Sequence, residues 1–312
     1  MNLSVPKGKY ILAVSGGVDS MVLLDILTKQ AKSQKPKAKG GGIKLSAKDF
    51  QLIVAHFNHG IREDARQDEK LVAQTAKKYG LPLEVGRRRL GKAASEEAAR
   101  AARYKFLRSA KTKHGADAII TAHHQDDLIE TAIINLLRGT GRRGLSSMAQ
   151  NPEIIRPLLQ TPKKSLVAYA KAHKLQWRED KTNTDTRYLR NYIRLRLVPK
   201  LTAAQKKQLL DNIEDLNILN PILDEQIAIL SQSIESSGKI SRQKFVNLPP
   251  DVASEVLIYC LRHRGITQID KQQISRLVAA IKTARPGSRY DISRGTYLLI
   301  SSRYAQIVTG AN

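Results

Sequence analysis

The sequence predicts an α/β protein: a doubly wound, mostly parallel sheet followed by a smaller, mainly helical C-terminal domain with a short β element. Strand-like and helix-like runs alternate over the first half of the chain, and the alternation ends near residue 200. Such alternation is typical of a parallel sheet covered by helices. The chain has 312 residues, of which 41% are hydrophobic, and a length of this order accommodates about two domains.

Four short apolar runs in the first half have strand character, and each is bounded by glycine, proline or polar residues. They are YILAV (10–14), FQLIVAHF (50–57), LPLEV (81–85) and ADAIITA (116–122). Apolar residues recur at helical spacing over 18–31, 65–79, 95–115 and 125–139. Ser95 is suited to cap the third of these helices, and Gly115 is suited to end it. Ligands of parallel sheets bind beyond the carboxyl ends of the strands, so the segments that follow the strands are the candidates for a site.

The pattern changes after residue 200. A long helical stretch covers 201–237, and two shorter helical stretches and a hairpin-like or ribbon-like run follow at 251–264, 270–283 and 286–308. We therefore predict a first domain over 1–200 that carries the site, a helical linker over 201–237, and a small C-terminal domain over 238–312.

The most pronounced compositional feature is positive charge, because 53 Lys and Arg residues stand against 28 Asp and Glu, a net charge of +25. This excess indicates a polyanionic partner such as nucleic acid; the alternative is a device for solubility. Aromatic residues make up only 5% of the chain, which does not predict a stacking platform for single strands. An insert over 29–48 holds seven Lys and no acid; we predict a flexible basic loop that contacts nucleic acid or is merely solvated.

Cysteine content and hydropathy predict a cytoplasmic protein with no membrane partner. The single cysteine, Cys260, excludes a disulfide framework and cysteine-ligated metal clusters. It lies in the apolar run EVLIYCL, so we expect a buried, inert thiol. No apolar stretch approaches the roughly 18 residues of a membrane span, and the N-terminus lacks the apolar segment of a signal peptide.

Residues 15–20 read S-G-G-V-D-S and lie between the first strand and the first helix. They match neither G-x-x-x-x-G-K-[ST] nor G-x-G-x-x-G. Even so, the glycines let successive N–H groups face an anion at a helix N-terminus, and Ser15 and Ser20 add hydroxyl donors. Asp19 would repel a bare phosphate, so we expect Mg²⁺ between them, because this ion prefers carboxylate and phosphate oxygens. The alternative is an ordinary tight turn.

A second group of polar residues follows the fourth strand. His123 comes directly after ADAIITA, and Asp126, Asp127 and Glu130 lie near the start of the next helix. Histidine at this position could donate to a phosphate on which charge develops. Acids in a first helical turn also suit the helix dipole, and a lone histidine is often a structural hydrogen-bonding group, so both structural alternatives stay open.

Two arginine pairs lie at helical spacing. Arg100 and Arg103 are three residues apart, and Arg190 and Arg194 are four apart. Each pair is a candidate fork for phosphate, and the alternative is a surface ion pair.

These segments together resemble a known family. The loop at 15–20 resembles the PP-loop of N-type ATP pyrophosphatases, and the whole set of motifs resembles the tRNA(Ile)-lysidine synthetase family. The matching segments run in order across about residues 10–200 and include HFNHGIR (56–62), EAARAARYKF (97–106), TAHHQDDLIET (121–131), RGTGRRGL (138–145), RPLL (156–159) and RNYIR (190–194). A set of motifs in this order is far more specific than any one of them.

The resemblance implies an ATP-dependent carbon–nitrogen ligase that joins lysine to the 2-carbon of the wobble cytidine in the CAU anticodon of tRNA(Ile). The cytidine is first adenylated with release of pyrophosphate, and lysine then displaces AMP. ATP and Mg²⁺ are implied as substrate and cofactor, and the tRNA and free lysine as partners. Members of the family often form dimers, so a homodimer is possible for this chain. The resemblance also implies that the region at 238–312 binds tRNA.

The resemblance also implies roles for single residues. ATP binding is assigned to Ser15, Gly16, Gly17, Val18, Asp19 and Ser20, with Asp19 as the Mg²⁺ ligand. Catalysis is assigned to His123, Asp127, Glu130 and Arg194. Lysine binding is assigned to Asp19, Asp127, Glu130 and Arg103, and tRNA binding to Arg190 and Arg194. A lysine ammonium has a pKa near 10.4 and must lose a proton before it attacks, so a carboxylate partner suits it.

Two other functions stay open: a nucleic-acid-binding protein whose nucleotide site no longer turns over, and a small-metabolite synthetase with the same loop. The intact loop with His123, Asp127 and Glu130 argues against the first. The net charge argues against the second. The tRNA thiolation branch needs several cysteines, and a single cysteine excludes it.

Overall fold

The computed structural model describes residues 3–33, 50–60, 65–88, 96–148, 151, 153–179, 184–267 and 269–309. The chain divides into two compact units, one formed by 1–135 and 146–210 and the other by 136–145 and 211–312. The predicted boundaries at residues 200 and 237 stay predictions. Ser95, Arg62 and most of the basic insert at 29–48 lie outside the described residues.

The first unit contains a five-stranded sheet whose strand pairs are all parallel. Its strands are β1 (Gly8–Ala13), β2 (Phe50–Asn58), β3 (Leu83–Arg87), β4 (Ala118–Ile120) and β5 (Ile154–Ile155), in the spatial order β3-β2-β1-β4-β5. The helices of this unit include α1 (Val18–Ser33), α2 (Ala65–Tyr79), α3 (Glu96–His114), α4 (Gln125–Leu137), α6 (Lys163–Ala172) and α7 (Leu189–Tyr192). The predicted doubly wound, parallel α/β fold is confirmed.

Both faces of the sheet are buried, which explains why the strands read as continuous apolar runs. Ile11, Ile53 and Ile119 pack with residues of α3 on one face. Leu12 and Val54 pack with α1, α2 and α6 on the other. None of these five side chains is more than 3% exposed, and each contributes roughly 1.5–3 kcal/mol of transfer free energy.

The strand order determines where a ligand site can form. β1 lies in the centre, with Leu12 beside Val54 of β2 and beside Ile120 of β4. β2 and β3 lie on one side of β1, and β4 and β5 lie on the other. The carboxyl ends of β1 and β4 therefore meet at a topological switch point, where such sheets bind ligands. The segments 15–20 and 121–124 follow these two strands.

The second unit contains helices and a five-stranded antiparallel sheet. Its elements are α5 (Arg142–Leu145), the greater part of α8 (Ala203–Ile234), β6 (Glu235–Ser236), β7 (Lys239–Ser241), α9 (Arg242–Val246), α10 (Pro250–Arg262), α11 (Lys271–Thr283), β8 (Arg289–Ser293), β9 (Thr296–Ile300) and β10 (Tyr304–Thr309). The sheet order is β6-β7-β10-β9-β8. The predicted helices and the short β element are confirmed, but the sheet is larger than a hairpin. β6 and β7 have two and three residues, too few for a period-2 pattern.

Cys260 belongs to the core of this unit. Its side chain is 0% exposed, so the expected burial is confirmed. Burial, together with Glu235, raises the pKa of the Cys260 thiol to about 12. Over the described ranges, no helix combines the length and the apolar character that a membrane crossing requires.

Arg142 and Arg143 are ion-paired within the second unit. Arg142 lies 2.6 Å from Asp224, and Arg143 lies 2.7 Å from Glu255. Arg142 also donates to the side-chain oxygen of Asn220 at 2.7 Å. The RGTGRRGL segment therefore uses these two arginines for packing onto α8 and α10.

A buried carboxylate, Asp25, joins three helices of the first unit. It is 2% exposed and accepts hydrogen bonds from Tyr79 at 2.7 Å and Tyr169 at 2.8 Å, while Lys29 lies at 2.8 Å. Burial raises the pKa of Asp25, but the hydrogen bonds from Lys29, Tyr79 and Tyr169 outweigh it, and the net pKa is lowered.

Replacement of Asp25 by Ala is expected to lower the free energy of unfolding by about 3 kcal/mol, since two partly buried tyrosine hydroxyls lose a charged acceptor. Tyr79→Phe and Tyr169→Phe, which each remove one bond, should cost about 1 kcal/mol. Because the folded-state pKa is depressed, this stabilisation is present above the unfolded pKa of about 3.9 and is lost as pH falls through the folded value. Urea unfolding at neutral and acidic pH measures both effects; equal pH dependence in Asp25→Ala and the parent protein would contradict the assignment.

Candidate nucleotide site

The loop at 15–20 is held in shape by its own hydroxyl groups. Ser20 Oγ donates to the Gly17 carbonyl at 2.9 Å and accepts from the Ser15 amide at 3.2 Å. The Gly17 amide donates to Ser15 Oγ at 3.3 Å. Gly16 has φ +95°, a conformation that residues with a Cβ rarely adopt. Val18, the first residue of α1, is 9% exposed and packs in the core, so the loop lies at the N-terminus of a 16-residue helix, where an anion is favoured.

Asp19, the acidic residue of the loop, is bound by Lys163 and lies close to His124. Both carboxylate oxygens accept from Lys163 Nζ, at 2.7 and 2.6 Å. His124 Nε2 lies 3.6 Å away. Burial raises the pKa of Asp19, but His124 and Lys163 outweigh the burial and hold it below its usual range. The Asp19 side chain is 25% exposed and therefore remains accessible.

His124 connects this loop to the segment that follows β4. Its Nε2 lies 3.4 Å from Asp127 as well as 3.6 Å from Asp19, and its amide donates to Asp127 Oδ2 at 3.0 Å. Burial lowers the pKa of His124, but the two carboxylates outweigh it and raise the net value. The position of His124 in the TAHHQDDLIET segment predicts only a structural role; the structure places its ring beside the carboxylates of Asp19 and Asp127.

His123 has the opposite electrostatic environment. Burial lowers its pKa to about 3, and the charges of Arg156, Arg103 and Arg100 act in the same direction. Thr121 Oγ1 lies 2.8 Å from His123 Nδ1. The imidazole is therefore neutral at physiological pH, and its Nδ1 shares a hydrogen bond with the Thr121 hydroxyl.

Asp127 and Glu130 share two arginines. Glu130 is 1% exposed and accepts from Arg190 Nε at 3.0 Å and from Arg194 at 2.6 and 2.8 Å. Asp127 lies 3.3 Å from Arg190 and 3.5 Å from Arg194. Arg190 and Arg194, predicted as a fork for phosphate, thus bind carboxylates in this structure. Their roles toward tRNA stay predictions.

Other predicted residues have more local contacts. Arg103 lies over the Tyr104 ring, with its guanidinium carbon 5.5 Å from the centroid, and its charge acts on His123. His56 Nδ1 lies 2.8 Å from the Val14 carbonyl, and Asn58 accepts from the Gly60 amide at 2.9 Å. Asn58 therefore stabilises the turn after β2, and His56 stabilises the start of the loop after β1.

Lys163 is the site residue that sequence reasoning missed. It is the first residue of α6, which follows β5 along the chain, and its side chain is 37% exposed. One signal could have found it: the segment lies after the last parallel strand, at the edge where ligands bind. Lys163 thus places an ammonium group beside a loop whose own sequence contains no lysine.

The loop with glycines lies at a helix N-terminus and at the switch point of a parallel sheet. This arrangement is typical of α/β proteins that bind phosphate-bearing ligands. The chain belongs to the PP-loop domain family, whose model matches residues 2–201. This class does not by itself specify a substrate.

Curated relatives are more specific. The chain is 30% identical over 299 residues to a tRNA(Ile)-lysidine synthase of Nitrosomonas europaea, covering 91% of this chain and 61% of that protein. It is 31% identical over 293 residues to the tRNA(Ile)-lysidine synthase of Thermosipho africanus, covering 88% of this chain and 63% of the relative. The chain thus spans less than two thirds of the length of these relatives.

A solved structure agrees on the fold. The U34-tRNA thiolase NcsA from Methanococcus maripaludis, solved with its [4Fe-4S] cluster, has a TM-score of 0.53 and 18% identity, covering 68% of this chain and 73% of that one. At this identity the likeness concerns the fold alone.

Proposed function

We propose that this protein ligates lysine to the 2-carbon of the wobble cytidine in tRNA(Ile) with a CAU anticodon, with ATP as the activating substrate. The observation that carries the proposal is the convergence of Asp19, His124 and Asp127 between the PP-loop and the segment after β4. The names of the curated relatives support the substrate. The net charge of +25 supports a polyanionic partner.

In the first step, the cytidine 2-oxygen attacks the α-phosphorus of ATP, and the bond to the β-phosphate oxygen breaks, which releases pyrophosphate. The amides and hydroxyls of the loop at 15–20 bind the departing pyrophosphate. His123, neutral at physiological pH because its pKa is lowered to about 3, donates to the α-phosphate as negative charge develops. Arg103, whose positive charge lowers the pKa of His123, stabilises the same negative charge on the α-phosphate.

In the second step, the lysine amine attacks the activated carbon, and AMP leaves with the former cytidine oxygen. Asp19 and Asp127 bind the lysine ammonium, and one of them accepts its proton before attack. Both carboxylates have pKa values below the ordinary range despite burial, chiefly because of His124, and this keeps them ionised and able to bind a cation. Glu130, in contact with Arg190 and Arg194, holds these arginines beside Asp127, and its own role as a lysine ligand stays a prediction.

A magnesium ion suits this site, although among the described residues no three His, Cys, Asp or Glu side chains are grouped as ligands. Asp19 would hold the ion, with phosphate oxygens and water as further ligands, which is the usual coordination of Mg²⁺. The ion would neutralise phosphate charge. Cytoplasmic location and a homodimer stay predictions.

The test is pyrophosphate release from ATP with magnesium, with lysine and a CAU-anticodon tRNA(Ile) transcript added separately and together. We expect release to require the tRNA, and labelled lysine to join the tRNA only when both are present. Release with lysine alone would indicate a small-metabolite synthetase. Binding of tRNA with no release under any condition would indicate a binding protein without turnover.

Lys163 is expected to bind the β- and γ-phosphates of ATP. It approaches the loop within 2.6 Å of Asp19, and a charge-assisted hydrogen bond to phosphate changes affinity by roughly tenfold or more. Lys163→Gln should weaken ATP and pyrophosphate binding by that factor and leave AMP binding unchanged, while Lys163→Arg retains most of the affinity. Isothermal titration measures these affinities.

The matched control is Lys164→Gln, because Lys164 is the exposed neighbour in the same helical turn. This variant should bind all three ligands as the parent protein does. Equal loss of AMP and ATP affinity in Lys163→Gln would indicate that the residue only stabilises Asp19.

A further inference from the structure

The two most exposed aromatic rings of the protein lie on one segment. All 15 aromatic residues fall within the described ranges, and only Tyr188 and Tyr192 are exposed, each at 46%. The low aromatic content did not predict a stacking platform, but content says nothing about placement. The two rings lie one helical turn apart, because the Tyr192 amide donates to the Tyr188 carbonyl at 2.9 Å. They therefore share one side of the segment.

The opposite side of this segment is anchored. Arg190 and Arg194 bind Glu130, and Ile193 is 0% exposed in a cluster with Ile129. The segment continues from α7 into a π-helix over Ile193–Leu197. Exposed rings on an anchored backbone need little ordering when a ligand binds, which favours affinity.

The charge around the rings favours a polyanion. Residues 184–200 contain five basic residues and one acid, Asp185. Arg190 and Arg194 face the carboxylates, whereas Arg196 and Lys200 are exposed and the Arg187 side chain is 88% exposed beside Asp185. Exposed aromatic rings with cations around them are the combination that binds unpaired nucleotides, since rings stack on bases and cations contact phosphates.

We propose that Tyr188 and Tyr192, together called the tyrosine face, stack on unpaired RNA nucleotides next to the nucleotide that enters the site. This inference rests on the proposed function, because it takes the partner to be an RNA loop. Chemistry on a base requires that base to leave its stack, and its neighbours then lose a stacking partner. The tyrosine face replaces that partner, and the same segment carries the arginines that contact Asp127 and Glu130.

The test uses the full chain and a fluorescein-labelled RNA hairpin with a CAU-containing loop, titrated at several salt concentrations. Tyr188→Ala/Tyr192→Ala should bind the hairpin about tenfold or more weakly, because each base–ring stack contributes about 1–3 kcal/mol. Tyr188→Phe/Tyr192→Phe should bind like the parent protein, because the ring is kept. The slope of log affinity against log salt should be unchanged in both variants, since neither removes a cation.

The matched electrostatic control is Arg196→Gln, which should reduce the salt slope by about 1 and leave stacking intact. ATP affinity should be the same in all variants, which shows that they are folded. A loss below twofold in the alanine variant, or an equal loss in the phenylalanine variant, would overturn the proposal. So would a change of oligomeric state in gel filtration without a change in RNA affinity, which would assign the tyrosine face to a second copy of the chain.

Failure of the proposed function has a different signature. If the parent protein binds the hairpin and the alanine variant does not, stacking is supported even when no lysine is transferred. If the parent protein does not bind the hairpin at any salt concentration, the stacking proposal is overturned together with the RNA substrate.

Discussion

Replacement of Asp19 by Asn is expected to reduce tRNA-dependent pyrophosphate release by about 10²–10³-fold, the usual cost of removing one preorganised electrostatic group. The side chain keeps its shape but loses the charge that holds Lys163 at 2.6 Å and His124 at 3.6 Å. The ammonium of Lys163 then has no charged partner in the loop, and neither a metal ion nor a substrate ammonium has its carboxylate ligand. Rapid-quench measurement of pyrophosphate with saturating tRNA tests this directly.

Asp117→Asn is the matched control for this experiment. Asp117 is exposed, lies just before β4 at the opposite end of the sheet, and accepts from the Lys9 amide at 2.8 Å. Its replacement should leave pyrophosphate release near the parent rate. Full rates of both pyrophosphate release and lysine transfer in Asp19→Asn would refute the proposed role of Asp19 toward metal and lysine, whereas normal release with loss of lysine transfer would restrict Asp19 to the second step.

Replacement of Glu130 by Gln is expected to lower both the free energy of unfolding and the rate of lysine transfer. Glu130 is 1% exposed and binds two arginines that are 21% and 34% exposed. Breaking a buried charge pair costs about 3–5 kcal/mol. Because the arginines are partly exposed, we expect a loss at the lower end of this range, about 3 kcal/mol. Urea unfolding and single-turnover lysine transfer measure the two effects, and ATP binding should be unaffected.

A charge-free triple variant separates stability from chemistry. Replacing a whole buried ion group with apolar residues is often neutral for stability, so Glu130→Leu with Arg190→Met and Arg194→Met should recover much of the unfolding free energy. It should not recover lysine transfer, since Asp127 would still lack its arginines. An unchanged transfer rate in Glu130→Gln would remove Glu130 from the mechanism, and lost transfer with full stability would make it a direct lysine ligand.

Much of the site could be predicted because the relevant signals are local. The S-G-G-V-D-S loop and the H-H-x-D-D segment each follow a strand-like run, and carboxyl ends of parallel strands meet at one edge of the sheet. Asp19 and Asp127 are accordingly brought to the same histidine, His124. The parallel sheet and the helices of both units followed from apolar periodicity for the same reason.

Other features depend on which distant segments meet. Spacing showed Arg190 and Arg194 as a fork but could not show that Glu130 occupies it, because the residues are about 60 positions apart. Lys163 reaches Asp19 across a separation of 144 residues. The short strand β7 exists because β10 offers it a partner, and β6 in turn pairs with β7, since strands of this length have no stability alone.

The amino-acid sequence by itself determined the α/β class, the order of the elements, and the chemical types at the ends of β1 and β4, because these follow from local patterning. Only the tertiary structure decided that His124 lies between two carboxylates, that Lys163 binds the loop, and that two of the few aromatic rings face solvent. These depend on strand order and on burial of whole faces, which are properties of the packed chain that no local stretch encodes.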